Sequence, residues 1–183
     1  MDKEEIKEED ELLRQTNISL VLDSYQDLFS DFDPRPYSER VISDDFLTEV
    51  KRAIRDKPDS GFELRLLIPA VKRSLRDELK IKSRLREHFQ RHFKEKEKEI
   101  KKMKREGIFW IIIGAILMGV VTSIRTYTEP SLLTNIAIII AEPAGWFGFW
   151  EGLGKIFLDA REKEPELISY RKMSKAKISF NNY

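Results

Sequence analysis

The chain has 183 residues, a net charge of +1 and a mean hydropathy of -0.45, and 36% of its residues are charged. Its content of Ile, Leu and Phe is too high for a wholly disordered chain, and the absence of cysteine excludes a disulfide scaffold, a thiolate zinc site and a cysteine nucleophile. The charge is unevenly distributed, because residues 107–124 contain no charged side chain and residues 131–150 contain only Glu142. The average composition therefore conceals blocks of different character.

The first block, residues 1–16, is rich in Asp and Glu between positions 2 and 11, and its apolar residues follow no structural period. This pattern predicts an acidic, solvated and partly disordered tail. The opening residues are acidic rather than cationic and apolar, so the sequence does not favour a secretory signal.

The second block, residues 17–93, predicts a small α/β domain. Ile18–Leu22 and Phe62–Ile68 favour strands, since both are rich in branched and aromatic apolar residues. Ser43 is a suitable N-cap for a helix that extends to about residue 56, in which apolar residues recur at every fourth position: Phe46, Val50 and Ile54. We expect this domain to be cytoplasmic and to act as a sensor or interaction module.

A longer helix is predicted after Pro69. Its apolar stripe consists of Val71, Leu75, Leu79, Leu85, Phe89 and Phe93. Residues 94–106 are almost wholly charged and contain no Gly or Pro. We therefore expect the helix to continue through them as an exposed stalk, supported by oppositely charged pairs one turn apart.

Two apolar stretches follow the stalk, and both are long enough to cross most of a bilayer core of about 30 Å as helices. The first covers residues 107–124 and the second covers residues 132–153, with a short external turn at 125–131. The second stretch contains Glu142 and Pro143 near its middle. Because proline removes a helical hydrogen bond, a half-span that re-enters at these residues is the alternative to a complete second helix.

Lysine and arginine are concentrated before the first apolar stretch and after the second, whereas the turn between them holds only Arg125. By the positive-inside rule, both termini should lie in the cytoplasm, with residues 154–183 forming a cytoplasmic tail. The predicted fold is an integral membrane α-helical hairpin with two transmembrane helices, a small N-terminal cytoplasmic α/β domain and a long helical stalk. The expected location is the cell membrane, as a multi-pass protein.

Glu142 is the leading candidate for a functional residue, since an ionisable side chain near the bilayer centre costs about 2.5–3.5 kcal/mol and normally faces protein or water. In an oligomer it would form a ring of carboxylates that favours cations, with Pro143 as the hinge of a gate. The alternative is a protonated glutamic acid that is hydrogen-bonded to Asn135 or Thr134 of another copy.

Small residues recur four positions apart in both apolar stretches, which lets helix backbones approach closely. The members of these series are Ala115 and Gly119 in the first stretch, and Ala137, Ala141, Gly145, Ala144, Gly148 and Gly152 in the second. One interpretation is packing of the two helices within a single chain. Because the series exceed what one such contact needs, we expect homo-oligomers.

Two groups of residues in the α/β domain are candidates for ligand binding. The first could hold a divalent ion or a phosphate, and it consists of Asp23, Asp31, Asp33, Arg35 and Arg40. The alternative is an ordered loop of turns and Asp–Arg pairs anchored by Tyr25, Phe29 and Phe32. The second group could receive a nucleotide or oligonucleotide, or alternatively lipid headgroups or an acidic protein, and it includes Arg73, Arg76 and Arg84.

His88 and His92 lie four positions apart, as two ligands of one metal would, but a zinc site needs at least a third ligand. No metal site is therefore expected. The chain contains no phosphate-binding glycine loop, no HExxH and no GxSxG serine elbow. The sequence predicts neither an enzyme nor a cofactor.

The overall layout, with the stretches LDSYQDLFSDFDPRPYSER (22–40) and SDDFL (43–47), resembles small two-span membrane subunits of bacterial anti-phage defence operons, including the channel-forming subunit of the Hailong system. The resemblance implies a homo-oligomeric channel whose cytoplasmic domain holds the pore shut. A nucleotide or oligonucleotide signal, or its loss, would then release the pore.

Two functional hypotheses follow. The first is a homo-oligomeric membrane channel or membrane-perturbing effector that is gated by its cytoplasmic domain. The alternative is a membrane-anchored adaptor whose hairpin only tethers an interaction domain. The expected partners are the lipid bilayer, further copies of the chain, and a nucleotide-type ligand or a regulatory cytoplasmic protein.

Overall fold

A computed structural model describes residues 17–55, 57 and 62–183. The predicted acidic tail, residues 1–16, lies outside the described residues. The elements are, in chain order, β1 (Asn17–Val21), a 3₁₀ turn (Tyr25–Leu28), α1 (Asp44–Ala53), β2 (Glu63–Ile68), a 3₁₀ turn (Ala70–Lys72), α2 (Leu75–Tyr127), α3 (Leu132–Gly154), a π-helical turn (Lys155–Asp159), α4 (Ala160–Lys175) and β3 (Lys177–Asn182).

The chain divides into two compact units. The first, which we call the α/β domain, comprises residues up to Lys94 together with Leu167–Tyr183. The second, which we call the helical hairpin, comprises Glu95–Glu166. We describe each unit by itself.

The α/β domain contains a three-stranded parallel sheet in the order β1-β2-β3. Parallel neighbours need a crossover connection, and α1 lies in the connection between β1 and β2. The two predicted strands and the helix between them are therefore present. Ser43 occupies the predicted N-cap of α1, although its hydroxyl makes no capping hydrogen bond.

The third strand comes from the end of the chain that we expected to be a tail. Residues 154–183 instead contain α4 and β3, and β3 pairs with β2 from Lys177 opposite Glu63 to Asn182 opposite Ile68. Two apolar side chains of β3, Ile178 and Phe180, are buried in the core of the domain. The prediction was wrong because these two residues alternate over only one short segment after a charged helix.

The core of the α/β domain lies between the sheet and three helices. The middle strand contributes Leu64, Leu66 and Ile68 from one face, and α2 contributes Ile81 and Phe89. Lys172 of α4 is buried as well, and its amine donates hydrogen bonds to backbone carbonyls of residues 54, 55 and 57, just after α1. The carbonyl of Ile54 also accepts from the backbone nitrogen of Lys57 at 3.1 Å.

The apolar stripe predicted for the start of α2 is wrong in its first half. Val71, Leu75 and Leu79 are 93%, 71% and 61% exposed. Val71 lies in the 3₁₀ turn before α2. Leu79 and the buried Leu85 are six positions apart, which places them about 120° apart around a helix of 3.6 residues per turn, so the two halves of the predicted stripe lie on different sides of α2. The buried side instead includes two polar residues, Glu78 and His88, which an apolar pattern does not select.

In the helical hairpin, α2 and α3 are each continuous. The predicted stalk, residues 94–106, lies inside α2, and α2 ends at Tyr127, so the predicted turn begins three residues too early. The helix α3 continues through Pro143, so the helix is not interrupted at that point. Ser131 caps α3 reciprocally with Thr134.

Both helices are long and apolar enough to cross a membrane. Their most apolar windows have mean hydropathies of 2.3 and 1.4, and only 17% of each window is buried within the structure. A core helix of a soluble protein would be mostly covered, so the exposure of these windows favours a lipid environment. The hairpin thus has two candidate membrane spans.

Candidate functional site

The two helices of the hairpin meet along glycines. Gly107 and Gly114 of α2 face Gly145, Gly148 and Gly152 of α3, and we call these five residues the glycine seam. A methyl group added at Gly152 would lie 2.4 Å from the carbonyl oxygen of Gly107, and one added at Gly114 would lie 2.5 Å from the backbone nitrogen of Phe149. The backbones therefore approach too closely for a side chain at Gly107, Gly114 and Gly152, whereas a methyl group at Gly148 would meet its nearest atom at 3.5 Å, an ordinary contact.

This seam accounts for three of the predicted packing residues, Gly145, Gly148 and Gly152, by a contact within one chain. Ala115, Gly119 and Ala137 remain exposed, Ala141 is half-buried, and a methyl group added at Gly119 would meet nothing within 4 Å. The alternative interpretation, intramolecular packing, therefore holds for the buried glycines. Homo-oligomerisation stays a prediction that now depends on the exposed small residues.

The sequence analysis did not select Gly107 and Gly114. They lie seven positions apart, which places them on the same face of a helix two turns apart. A search for series with a spacing of seven, in addition to four, would have found them. The spacing of seven would have identified the residues of α2 that face the glycines of α3.

Glu142 forms an ion pair with Arg125, which lies in the last turn of α2 and not in the external turn that the sequence predicts. The guanidinium Nη2 of Arg125 donates to Oε2 of Glu142 at 2.8 Å. The contacts of the glycine seam show that α2 and α3 are antiparallel. Since side chains lean toward the N-terminus of their own helix, those of Arg125 and Glu142 lean toward one another.

Glu142 lies well within the apolar part of α3, whereas Arg125 lies two residues before the end of α2. Ten positions separate Glu142 from Leu132 at the start of that helix, and twelve separate it from Gly154 at the end. The side chains of Arg125 and Glu142 are 60% and 43% exposed. The hairpin thus brings the two charges together but covers them only in part.

A groove of about 270 Å³ surrounds the ion pair, and its lining consists of Met118, Val121, Thr122, Arg125, Thr126, Glu142 and Trp146. The hydroxyls of Thr122 and Thr126 each donate to a backbone carbonyl one turn earlier, at 2.9 Å. Their oxygens can still accept a hydrogen bond. The groove therefore offers a cation, a carboxylate and two hydroxyl oxygens on the surface of an otherwise apolar unit.

The other predicted gate residues lie away from the pair. The hydroxyl of Thr134 caps the N-terminus of α3, since it accepts a hydrogen bond from the backbone nitrogen of Ser131 at 2.9 Å. Asn135 is exposed, and its side chain makes no hydrogen bond with Glu142. Pro143 is exposed next to Glu142 within the continuous helix.

The acidic loop of the α/β domain is ordered by its own side chains. Asp33 accepts hydrogen bonds from the guanidinium of Arg35 at 2.9–3.2 Å and from the backbone nitrogen of Val41 at 2.7 Å. The hydrogen bonds from Arg35 are the main cause that lowers the pKa of Asp33 below its ordinary value. Arg40 donates to the carbonyl oxygen of Ser30 and to the side chain of Gln26.

These bonds correspond to the alternative interpretation of this stretch, an ordered loop of Asp–Arg pairs. Tyr25 and Phe29 are buried as expected, but Phe32 is 98% exposed and does not anchor the loop. Asp23 and Asp31 keep exposed carboxylates. A ligand for this group stays a prediction.

Of the three candidate cations just before and along α2, Arg73 and Arg84 are engaged in hydrogen bonds and Arg76 is exposed. Arg73 donates to both carboxylate oxygens of the buried Glu78, at 2.8 and 3.0 Å, and Tyr25 donates to the same carboxylate at 3.1 Å. Burial raises the pKa of Glu78, but the hydrogen bonds from Arg73 and Tyr25 outweigh it and lower the pKa overall. Arg84 donates to the backbone carbonyl of Arg40, whereas Arg76 is exposed.

His88 and His92 lie together, with ring centroids 4.3 Å apart, and the ring of His92 stacks on that of Tyr170. The Nε2 atom of His88 is buried and has no hydrogen-bond partner within the described residues. Burial lowers the pKa of His88 to about 4, and nearby positive charges add to this effect: His92, Arg84, Arg91 and Lys51. Among the described residues, no group of three metal-ligating side chains exists.

No known protein family, curated protein or solved structure matches the chain. The candidate site is therefore defined by its geometry alone. Within the hairpin, that site is the ion pair of Arg125 and Glu142 and the groove around it.

Proposed function

We propose that this protein is a homo-oligomeric membrane channel in which the Arg125–Glu142 pair lines or guards the ion pathway. The observation that carries the proposal is the partly covered ion pair that Glu142, near the middle of α3, forms with Arg125, two residues before the end of α2. A charge near the middle of a membrane span, such as that of Glu142, costs about 2.5–3.5 kcal/mol on insertion scales unless it meets protein or water. Mutual pairing offsets part of this cost, and contact with another copy or with water would offset the rest.

The connection of the hairpin to the sheet supports two complete crossings. The strand β2 precedes both apolar helices and β3 follows them, and the two strands are neighbours in one sheet. Both flanks of the hairpin must then lie on the same side of any membrane, which requires an even number of crossings. Together with the cation-rich flanks, this supports a location of the α/β domain in the cytoplasm.

The α/β domain is the proposed control element. Because Arg73 and Arg84 are engaged within the domain, a nucleotide or oligonucleotide that controls the channel would bind through cations that remain exposed, such as Arg76. The resemblance to channel-forming defence subunits motivates this ligand class and a role in anti-phage defence. Both belong to the proposal.

Ion flux into liposomes tests the pathway. The full chain is reconstituted, and cation flux is compared among the wild type, Glu142→Gln, Arg125→Gln and the exchanged pair Arg125→Glu with Glu142→Arg. Glu129→Gln, which changes an exposed acid in the turn, is the matched control. We expect Glu142→Gln to change flux at least several-fold, the exchanged pair to restore it in part, and Glu129→Gln to leave it unchanged.

Two results would contradict the channel. One is a wild-type protein that carries no ion flux, both alone and with nucleotides. The other is identical flux in Glu142→Gln and the wild type. The proposal also requires a homo-oligomer, which chemical cross-linking of the reconstituted protein tests. A strictly monomeric protein would contradict it, because no further copy would then contact the ion pair.

The alternative is a membrane-anchored adaptor, and the glycine seam favours it. The seam closes the contact between the two helices within one chain, so the hairpin is complete without another copy. Replacement of residues 107–154 by an unrelated two-span hairpin separates the candidates. An adaptor keeps its function after this exchange, whereas a channel loses it.

A further inference from the structure

The start of α2 and the 3₁₀ turn before it carry an exposed surface of mixed character. Three large aliphatic side chains, Val71, Leu75 and Leu79, are between 61% and 93% exposed. Arg76 and Lys80 lie beside them, and both are exposed. We call these five residues the apolar–cationic surface.

Nothing in the described part of the α/β domain covers this surface. Single exposed aliphatic residues are ordinary, but a contiguous apolar patch bordered by charges marks a place of contact. Leu75 with Leu79, and Arg76 with Lys80, are each one turn apart on α2, so an apolar row and a cationic row run side by side. A complementary partner has acidic groups next to aliphatic ones.

We propose that the N-terminal segment of the same chain, residues 2–16, occupies the apolar–cationic surface. The segment holds seven acidic residues against three cationic ones, which gives a net charge of -4, and its aliphatic residues are Ile6, Leu12 and Leu13. Its carboxylates match Arg76 and Lys80, and its leucines match the exposed aliphatic row. Both kinds of group that a partner of this surface needs, acidic and aliphatic, are thus present in one segment.

The segment can reach the surface. It precedes Asn17, which pairs with Glu63 at the start of β2, while the surface begins three residues after Ile68 at the end of β2. The length of β2 is about 20 Å at 3.3 Å per residue. Fifteen extended residues span about 50 Å, so the tether is sufficient, and a short tether gives an effective concentration in the millimolar range.

The acidic segment also disfavours the competing occupant, an anionic lipid surface. A segment with a net charge of -4 that is tethered to the same domain competes for the same cations and repels anionic headgroups. A second copy of the surface is disfavoured as well, because two cationic rows would face one another. The proposal therefore commits to contact within one chain.

Disulfide trapping tests the contact, because the chain has no cysteine of its own. The full-length protein in detergent carries Leu12→Cys with Leu75→Cys, and the control carries Leu12→Cys with Thr48→Cys, an exposed position on α1. At low protein concentration under mild oxidation, we expect the first pair to form an intramolecular disulfide about ten-fold faster than the control. High salt and the double change Arg76→Glu with Lys80→Glu should remove most of this difference.

Three outcomes would overturn the proposal. Equal rates in the two cysteine pairs would show that the segment has no preferred site. A disulfide between two copies of a Leu75→Cys single variant, formed in preference to the intramolecular one, would assign the surface to a second copy. The third outcome uses maleimide labelling of the same single cysteine, with and without anionic vesicles, and compares the intact N-terminal segment with a variant in which its seven acidic residues are neutral. Protection by the vesicles, without protection by the intact segment, would assign the surface to lipid.

Discussion

The α/β domain and the helical hairpin are held together in opposite ways. In the domain, large side chains such as Leu66 and Phe89 fill the space between the sheet and the helices. In the hairpin, contact depends on the absence of side chains at the glycine seam. Such a difference is expected between a core that forms in water and helices that pack in lipid, because water drives aliphatic groups into a core, whereas lipid gives helices no such reason to associate and leaves close backbone packing as the main attraction. It agrees with the membrane location proposed for the hairpin.

The two regions also treat buried acids differently. Glu78 in the domain is almost fully enclosed and receives hydrogen bonds from both Arg73 and Tyr25. Glu142 in the hairpin has one protein partner, Arg125, and opens onto a groove. A fully satisfied acid stabilises a fold, whereas a partly satisfied one in an apolar unit is available for a second partner. This contrast supports the proposal that the Arg125–Glu142 pair, rather than Glu78, belongs to the functional site.

The largest expected effect follows from a large-to-small change in the domain. Leu66→Ala, at a fully buried position of β2, should lower the free energy of unfolding of the domain by about 3 kcal/mol because it leaves a cavity. Hydrogen exchange of β2 and β3 in the full chain measures this. Val21→Ala removes an exposed side chain of β1 and should change little. Equal protection in the two variants would contradict the assigned core.

The converse change, from small to large, should matter in the hairpin. Gly114→Ala should destabilise the contact of α2 with α3 by about 2 kcal/mol, because the new methyl group meets backbone. Gly119→Ala should be neutral or stabilising by up to about 1 kcal/mol, since alanine favours helices over glycine.

Tryptophan fluorescence during thermal unfolding in detergent measures this difference. All three tryptophans of the chain, Trp110, Trp146 and Trp150, belong to the hairpin, so their emission reports on this unit. A lower melting temperature for Gly119→Ala than for Gly114→Ala would refute the glycine seam.

A smaller effect should depend on pH and be confined to the domain. The pKa of His88 is about 4 in the folded chain against 6.5 ordinarily, so the unfolded chain binds more protons between these values. Stability should therefore fall as the pH decreases through this window, by about 1 kcal/mol between pH 7.5 and 5.5.

The groups that oppose a proton on His88 come from two helices: Lys51 from α1, and Arg84, Arg91 and His92 from α2. Hydrogen exchange of α2 and β2 at several pH values measures the slope. His88→Phe should remove most of it. An unchanged slope in that variant would assign the dependence to other groups.

The smallest effect is expected at the acidic loop. Asp33→Asn weakens the pair with Arg35 and the hydrogen bond from the backbone nitrogen of Val41, so exchange of that amide should become faster while the melting temperature of the domain stays the same. Asp31→Asn, at an exposed position in the same loop, should alter neither quantity. A fall in the melting temperature for Asp33→Asn would show that the loop supports the core.

Sequence patterns within a single segment were sufficient to predict most of the helices and strands. The strands at 17–21 and 63–68, the helix that starts after Ser43, and the two apolar helices are all visible as periodicity, capping or length. The strand β3 was missed because its partner β2 lies more than a hundred residues earlier, and no local signal carries such a pairing. The exposed row of Val71, Leu75 and Leu79 was misplaced because helix rotation relative to a core is a tertiary property.

The candidate site was predicted in part. Glu142 is conspicuous in the sequence as the one acid within an apolar stretch, but its partner Arg125 was assigned to a turn that begins only after Tyr127. Whether a charge near the end of a helix is turned outward or toward a neighbouring helix depends on how the two helices are aligned. That alignment is determined by the glycine seam, of which the sequence analysis recognised only the α3 side.

The position of β3 has a consequence for biosynthesis. The second edge of the middle strand, β2, stays unpaired until β3 has been synthesised, since Glu63 pairs with Lys177. Both apolar helices are synthesised in this interval. During that time the newly made β2 presents an unpaired edge with Leu64 and Leu66, which is a template for pairing with other chains. Rapid delivery of the apolar helices to a membrane would shorten this exposure. Slow translation or delayed insertion would instead lengthen it, and the nascent chain would then depend on chaperones.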